Sequence, residues 1–504
     1  MPKIAIVFCP YFSLRSPHLG LSRIYTALER EGFKTDVYDL DVWLRKNNRD
    51  WYHLFQKAFN IGREFERVSF VLGLEALIHH LYGEEFPDFN WDEFLHEAPI
   101  RPVPDFAEIV TKAVQPIVSE DYDFVLFSTY ISNVPFSLSA AKMIRERTNA
   151  RVIFGGPGSS IPETAKFLLG TGFIDIIVIG EGELTISNLL RQWEGGSRIP
   201  GIPGVAHLSN SELRFEPRDQ IQNISDLPFT DFPTNYQEIN YVPMEASRGC
   251  IMNCGFCSES SFWKTYRIRS IESIMAEIDM RAGSQPSAAF MIEFVDSLMN
   301  PSESRLRDLS ESFIKRSRLV EWMCEMRPVQ WMSHSLAQML FQAGCRSVNL
   351  GAETFIPERL RYLRKGTHLE SILATIEALS GAGIHTNVHR MSGISGETDQ
   401  EILEMYDTLR EFKRRIHDPE QWHRIQWGAP DILRVEPYSP MYRDAPNWNI
   451  ELSTFSLSLP DGLSYLSKFI EPLCVKADNA IPKEEKLRRN ALMKKLDFIS
   501  GLVG

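Results

Sequence analysis

Between Ser247 and Ser258 the chain reads Ser-Arg-Gly-Cys-Ile-Met-Asn-Cys-Gly-Phe-Cys-Ser, which puts three of its seven cysteines, Cys250, Cys254 and Cys257, within eight residues. Thiolates at this density suit a soft metal centre. A [4Fe–4S] cluster held by only these three keeps one iron open to an outside ligand, and chemistry can start there. The rival is a zinc knuckle, which normally closes a tetrahedron with four Cys or His ligands. No fourth ligand stands nearby: the next cysteine is Cys324 and the nearest upstream histidine is His207. Cys9, Cys324, Cys345 and Cys474 lack metal-ligand spacing and read as buried thiols.

A loop of this kind must be carried by something rigid. Strand-like runs recur at 242–246, 290–295, 321–326, 347–350, 386–391 and 432–436, with helical stretches near 271–281, 303–316, 335–343, 369–380 and 399–415. Six strands with helices between them suit a partial (β/α)6 barrel, whose sites lie at the carboxyl ends of the strands. The cysteine loop follows the first of them. Residues 443–504, rich in Leu, Lys and Glu, read as a helical cap, and the basic run 483–495 as a solvated helix face.

The first part of the chain alternates differently. Runs at 3–9, 35–40, 124–128, 151–154 and 174–179, with helices at 20–31, 137–147, 162–169 and 183–190, imply a doubly wound parallel sheet of flavodoxin-like type. Residues 42–120 interrupt it with an aromatic-rich helical insert containing Trp43, Trp51, Tyr52, Phe55, Phe59, Phe65 and Phe70, read as a packing face. Ligands of such sheets sit at the carboxyl ends of the strands. There the chain places Ser128-Thr129-Tyr130-Ile131-Ser132-Asn133, Gly155-Gly156-Pro157-Gly158 and Gly180-Glu181-Gly182-Glu183, where glycine lets the backbone approach a bound group. Residues 205–215 look like a hairpin, and 219–243, with three prolines, like a linker.

Length and composition bound the rest. A chain of 504 residues, 43% hydrophobic and 24% charged, has core enough for two or three globular domains. A net charge of −12 argues against a large nucleic-acid footprint. No apolar run approaches the ~18 residues of a membrane span, and Met1 to Val7 leads straight into a strand, so no membrane partner and a cytoplasmic location are expected. An odd number of cysteines without framework spacing points to a reducing compartment.

The Cys-x3-Cys-x2-Cys spacing, with Phe256 before the third thiol and Arg-Gly before the first, resembles the radical S-adenosylmethionine (SAM) superfamily. The resemblance implies that the open iron chelates the amino and carboxylate groups of SAM. One electron from the cluster then cleaves a carbon–sulfur bond to give a 5′-deoxyadenosyl radical. Gly351-Ala352-Glu353-Thr354 resembles a Gly-x-Glu-Ser/Thr pattern whose glutamate contacts SAM, with a barrel-rim salt bridge as the plain alternative. Gly393-Ile394-Ser395-Gly396-Glu397-Thr398 resembles the family's Gly-x-Pro-Gly-Glu-Thr turn with serine for proline. Phe256, Asp296, Arg327, Gly393 and Gly396 complete the expected SAM site. Arg327 could grip the SAM carboxylate or serve a barrel ion pair.

Gly-Gly-Pro followed one βα unit later by Asp175 and Gly-Glu-Gly-Glu is similar to the cobalamin-binding domain that precedes many such barrels, over residues 1–195. Ser128, Thr129, Asn133, Gly155, Gly156, Pro157, Gly180, Glu181, Gly182 and Glu183 would then line cobalamin. The Asp-x-His-x-x-Gly motif of one form of that domain is missing, and His18 reads as a capping residue. The expected organisation is a cobalamin domain at 1–195, hairpin and linker at 196–240, barrel at 241–440 and helical cap at 441–504. The implied activity is C-methylation of an unactivated carbon in a small-molecule or peptide substrate, the methyl passing from SAM by way of methylcobalamin. Flavodoxin or ferredoxin would serve as electron donor. Cyclisation, ring contraction or another rearrangement is the alternative, and a non-catalytic corrinoid or iron–sulfur binding protein stands in another class.

Overall fold

The computed structural model describes residues 2–10, 17–53, 106–160, 162–193, 201–233, 241–284, 291–316, 319–433, 435–436, 439–454, 475–479 and 483–502. Two compact units emerge. One comprises Met1–Ile221, Pro228–Glu238 and Ser453–Lys476; the other comprises Gln222–Leu227, Ile239–Leu452 and Ala477–Gly504.

The first unit is a seven-stranded sheet of β1 (Lys3–Phe8), β2 (Lys34–Asp39), β3 (Phe124–Ser128), β4 (Arg151–Gly155), β5 (Ile176–Val178), β6 (Val205–Ser209) and β7 (Glu212–Phe215), ordered 2-1-3-4-5-6-7. The first five strands are parallel, in the flavodoxin order. β1 shows why a central parallel strand reads as a continuous apolar run: Ala5 and Val7 enter the core on one face while Ile4, Ile6 and Phe8 enter the core on the other. The expected hairpin belongs to this sheet. β6 adds antiparallel to β5, Val205 opposite Val178, and so covers an edge whose backbone groups would otherwise lack partners. Of the helical insert, Leu40–Asn47 and Phe106–Val118 are helices, and Trp51 is buried with Leu44, Val114 and Ile117. Residues 54–105, with Phe55, Phe59, Phe65 and Phe70, lie outside the described residues.

The second unit opens with β8 (Tyr241–Met244), the short antiparallel pair β9 (Ser247–Arg248) and β10 (Arg267–Ile268), then β11 (Met291–Phe294), β12 (Glu321–Met326), β13 (Cys345–Glu353), β14 (His385–Ser392), β15 (Ile425–Trp427) and β16 (Asp431–Ile432). β8, β11, β12, β13, β14 and β15 form the six-stranded parallel path of a partial barrel. Helices Ile271–Ser284, Glu303–Ile314, His334–Gln342, Leu369–Gly381 and Asp399–Arg415 alternate with them. The sixth strand is Ile425–Trp427, not 432–436: Thr386 takes Ile425 as its neighbour, while Ile432 pairs only briefly with Ser392.

The C-terminal helix Lys483–Ile499 corrects the expectation of a cap with a solvated basic face. Lys486, Arg489, Asn490, Met493, Leu496 and Asp497 recur at helical spacing and are all buried. Asp497 receives both guanidinium nitrogens of Arg390 on β14, at 2.6 and 2.9 Å, and Asn490 donates to Ser392 Oγ at 2.8 Å. The helix is thus part of the barrel wall. Among the described residues no helix is long and apolar enough to cross a membrane.

Candidate functional site

The cysteine loop leaves the carboxyl end of β8 and is clasped on both sides. Asp296, just past β11 and almost fully buried, accepts from the Ala246 N–H at 3.0 Å and from Ser247 Oγ at 2.5 Å. Desolvation raises its carboxyl to about 7. Expected to touch SAM, Asp296 instead spends both oxygens on the first turn of the loop. Arg248 makes two bonds to Glu245, at 2.8 and 2.9 Å. Gly249 has φ +83°, and a Cβ there would stand 2.9 Å from the Trp263 side chain and 3.0 Å from the Thr265 carbonyl, so only glycine leads into Cys250 without strain. Downstream, the Gly255 N–H donates to the Leu363 carbonyl (2.9 Å) and its own carbonyl accepts from the Met441 N–H (2.8 Å). Ser258 donates through N–H and hydroxyl to Glu436, at 3.2 and 2.6 Å.

Between these clasps Cys254 is buried and Cys250 and Cys257 are half-buried. Burial pushes all three thiols up, Cys257 to about 12, while the Lys365 ammonium pulls Cys250 and Cys254 back down. Lys365 was not foreseen. Its Nζ lies 2.7 Å from Glu353 Oε1 and 5.8 Å from the centre of the Phe256 ring. Burial alone would lower it, but Glu353 and the neighbouring thiolates outweigh that and hold it above its ordinary value. Gly351 makes room for the pair: a Cβ there would sit 2.9 Å from Glu353 Oε1 and 3.0 Å from Lys365 Nζ. Glu353 has φ +67° where the register of β13 with β14 slips, a strained conformation of the kind that accumulates at functional sites.

Three thiols, two of them within reach of a buried cation's charge, fit the donor set of a three-thiolate cluster. Metal binding deprotonates a coordinating thiol outright, and Lys365 offsets part of the charge that results. Among the described residues no three His, Cys, Asp or Glu side chains close around a single metal ion.

The other barrel residues divide. Arg327, at the end of β12, donates to the Gly366 carbonyl (2.9 Å) and contacts the Met252 sulfur in the cysteine loop, so it stands beside the thiols. Its Nε is buried without a partner among the described residues. Gly393 and Gly396 take φ +72° and +77°, but their open sides are filled by Lys486 and Arg359. The Gly393 N–H donates to Glu397 Oε2 at 2.9 Å, and burial raises Glu397 to about 7. Thr398, with Glu401, makes the capping box of the next helix.

At the carboxyl end of the first sheet the polar groups are mostly spent on one another. Thr129 donates through N–H and hydroxyl to the Gly155 carbonyl, both at 2.8 Å, and Asn133 ties the Tyr130 N–H to the Cys9 and Ser128 carbonyls. Ser160 bridges the Gly156 carbonyl (2.8 Å) and the Gly180 N–H (3.4 Å), joining the turn that holds Pro157 to the turn after β5. Glu181 accepts from the Ile221 N–H at 2.7 Å, Gly182 lies against Ile24, and Glu183 starts a helix, largely buried. Gly180, with φ +86°, faces open space. His18 caps the helix Leu19–Arg30: Nδ1 accepts from the Leu21 N–H at 2.9 Å, the ring stacks on Phe8, and burial lowers it to about 3.

Residues 244–409 match the Radical SAM superfamily. An uncharacterised methyltransferase of Pyrococcus horikoshii is 28% identical over 308 residues, 59% of this chain and 64% of that protein. An anaerobic magnesium-protoporphyrin IX monomethyl ester cyclase of Rubrivivax gelatinosus is 26% identical over 253 residues, 48% of this chain and 45% of that protein. The chain therefore spans about half to under two-thirds of the length of these curated relatives. The radical SAM methyltransferase TsrM of Kitasatospora setae, solved with tryptophan and a SAM analogue, superposes with a TM-score of 0.66 at 17% identity, over 100% of this chain and 89% of that one. A second structure of TsrM holds cobalamin and a [4Fe–4S] cluster. With its cysteine loop at the head of the matched segment, residues 244–409 of this chain resemble a radical SAM domain, and the chain has the fold of the solved cobalamin-binding structure TsrM.

Proposed function

We propose that this chain is a cobalamin-dependent radical SAM methyltransferase acting on an unactivated carbon of a small-molecule or peptide substrate. The observation that carries the reading is the cysteine loop set against the Glu353–Lys365 pair at the carboxyl rim of the barrel. Methyltransferase relatives and the flavodoxin-order first sheet support it. When bound, the cluster supplies the electron that cleaves SAM, and cobalamin carries the methyl group.

The chain's own residues have distinct parts in this reading. Cys250, Cys254 and Cys257 hold the cluster. Glu353 receives the SAM amino group and Arg327 its carboxylate, while Lys365 holds Glu353 in place. Asp296, Gly393 and Gly396 act from behind, by bracing the loops that face SAM. In the first unit Ser128, Gly155, Gly156, Pro157 and Gly180 line cobalamin, with Thr129, Asn133, Glu181, Gly182 and Glu183 bracing them. His18 is occupied as a helix cap, so among the described residues it is not offered to cobalt.

Purified anaerobically, the protein should carry about four iron and four sulfide per chain, the content of one [4Fe–4S] cluster. Turnover should yield S-adenosylhomocysteine and 5′-deoxyadenosine in about equal amounts per methylated product, one from methyl donation and one from reductive cleavage. The cyclase relative favours a second reading, rearrangement without methyl transfer. Substrate-dependent 5′-deoxyadenosine without S-adenosylhomocysteine selects that alternative, and absence of SAM cleavage on reduction removes both.

A further inference from the structure

A polar assembly stands apart from the cysteine loop and its Glu353–Lys365 neighbour. It lies on the inner face of the barrel strands. Ile292, Phe294, Cys324, Met326, Val348, Leu350 and Val388 point outward into the core beneath the helices, so the alternate residues Glu293, Glu325, Ser347, Asn349, Asn387 and His389 line the interior. An interior with no function would be filled by packed apolar side chains, as barrel interiors usually are. Here Glu293, Glu325, Asn349 and Asn387 are half-buried and His389 is exposed.

Three of these residues form a relay across neighbouring strands. Glu325, Asn349 and Asn387 stand in register on β12, β13 and β14. Asn349 Nδ2 donates to Glu325 Oε1 at 3.0 Å, and Asn387 Nδ2 donates to Asn349 Oδ1 at 2.8 Å and to Ser347 Oγ at 3.2 Å. The direction is set at one end, because a carboxylate only accepts. Asn349 must turn its amide nitrogen to Glu325, so Asn387 must turn its own toward Asn349. The far end of the relay is therefore a carbonyl oxygen, Asn387 Oδ1, buried and without a hydrogen-bond partner among the described residues. In the adjacent layer Glu293 Oε2 is in the same condition.

Two buried acceptors without donors cost free energy unless something supplies the donors. Two of the groups on this face are carboxylates; the charges of the exposed His389 and of Lys365 reach Glu325, and Lys365 is already paired with Glu353. Burial raises Glu325, a cost that a positive guest would relieve. We infer that the inner face around Asn387 and Glu293 is a substrate-anchoring subsite that takes a protonated nitrogen, an ammonium or guanidinium group. The inference rests on the radical SAM reading, since it sites the substrate inside the barrel. It narrows the substrate to a cationic amine or amidine.

The test uses the full chain, loaded anaerobically with iron and sulfide, with SAM present, and three probes of like size: n-butylammonium, 1-butanol and butanoate. Ligand-observed NMR titration should find butylammonium bound at least ~10-fold tighter than butanol, the ratio that one charge-assisted hydrogen bond provides. Butanoate should bind weakest. Glu293→Gln and Asn387→Leu should each bring butylammonium to within about twofold of butanol, a residue of less than half a kcal/mol, with iron content and SAM affinity retained. Equal binding of the three probes by the unmodified protein overturns the inference. So does an ammonium preference that survives in both variants, or a ~10-fold loss of SAM affinity in Asn387→Leu, which would make the relay part of the SAM site. Reductive SAM cleavage by the same preparation, read as 5′-deoxyadenosine, separately tests the radical SAM reading.

Discussion

The carboxyl ends of the two sheets hold their polar groups by opposite means. The barrel rim is built from ionisable side chains kept out of water: three thiols pushed up by burial, a lysine held above its ordinary value, and Asp296 raised to about 7. Around Gly156 and Gly180 the first sheet presents neutral groups, backbone amides and hydroxyls beside a histidine lowered to about 3, and its carboxylate Glu181 is turned to the Ile221 N–H. The contrast accords with the two cofactors proposed above. A cluster bonded through thiolates needs charge placed and balanced in advance, whereas a large cofactor held by shape needs glycine turns that let backbone come close.

Four tests break or sharpen this contrast. The largest effect belongs to Cys254→Ser, which should take iron and sulfide from about four per chain to near zero and abolish 5′-deoxyadenosine formation, because the cluster loses one of only three protein ligands. Elemental analysis with product detection decides it. Next is Lys365→Met, which leaves Glu353 buried and unpaired, at a cost of about 3–5 kcal/mol in unfolding free energy. It should also shift the cluster's midpoint potential to more negative values, since a cation beside the thiolates favours the reduced form. Denaturant titration and spectroelectrochemistry read the two effects, and Glu353→Gln in the same chain should restore most of the stability.

In the first sheet a paired test separates strain from contact. Gly156→Ala must hold φ +96° with a Cβ 2.7 Å from the Thr129 carbonyl, whereas Gly180→Ala meets only the unfavourable φ. The first should cost about 3 kcal/mol and abolish cobalamin uptake; the second should cost about 1 kcal/mol, the two ends of the range for such backbone strain. Equal losses would mean that the Thr129 contact relaxes freely. The smallest effect is on pH. Glu397 has a folded-state value of about 7 against 4.5 for a free carboxyl. The folded state therefore holds its proton more tightly, and stability contributed by this group is full below pH 4.5 and lost as pH rises toward 7. Glu397→Gln should remove that slope, seen as a urea midpoint that falls less between pH 5 and 7 than that of the unmodified protein.

Helix and strand periods in this chain are strong, and most elements were legible from them. The helix at 399–415 and strand at 124–128 stand where the periodicity put them, because their apolar positions match one packed face each. The C-terminal helix departs from the expected solvated face for a physical reason. Its buried face carries Lys486, Arg489, Asn490 and Asp497, and a polar face facing inward has the same sequence signature as one facing water. The sixth barrel strand was misplaced because Ile425–Trp427 is only three residues long, too short for alternation to show.

Spacing alone brought Cys250, Cys254 and Cys257 together, since residues three and four apart in one loop are neighbours in any fold. Glycine and histidine identities likewise marked the turns and the helix cap at His18 from local chemistry. Contacts across strands and loops were decided only in three dimensions. Lys365 meets Glu353 twelve residues away, Asp296 braces a loop fifty residues before it, and the relay from Glu325 to Asn387 joins three strands. Such pairings depend on the register of parallel strands and on which way each side chain turns from its strand, and a one-residue slip in register would send every one of them to the opposite face.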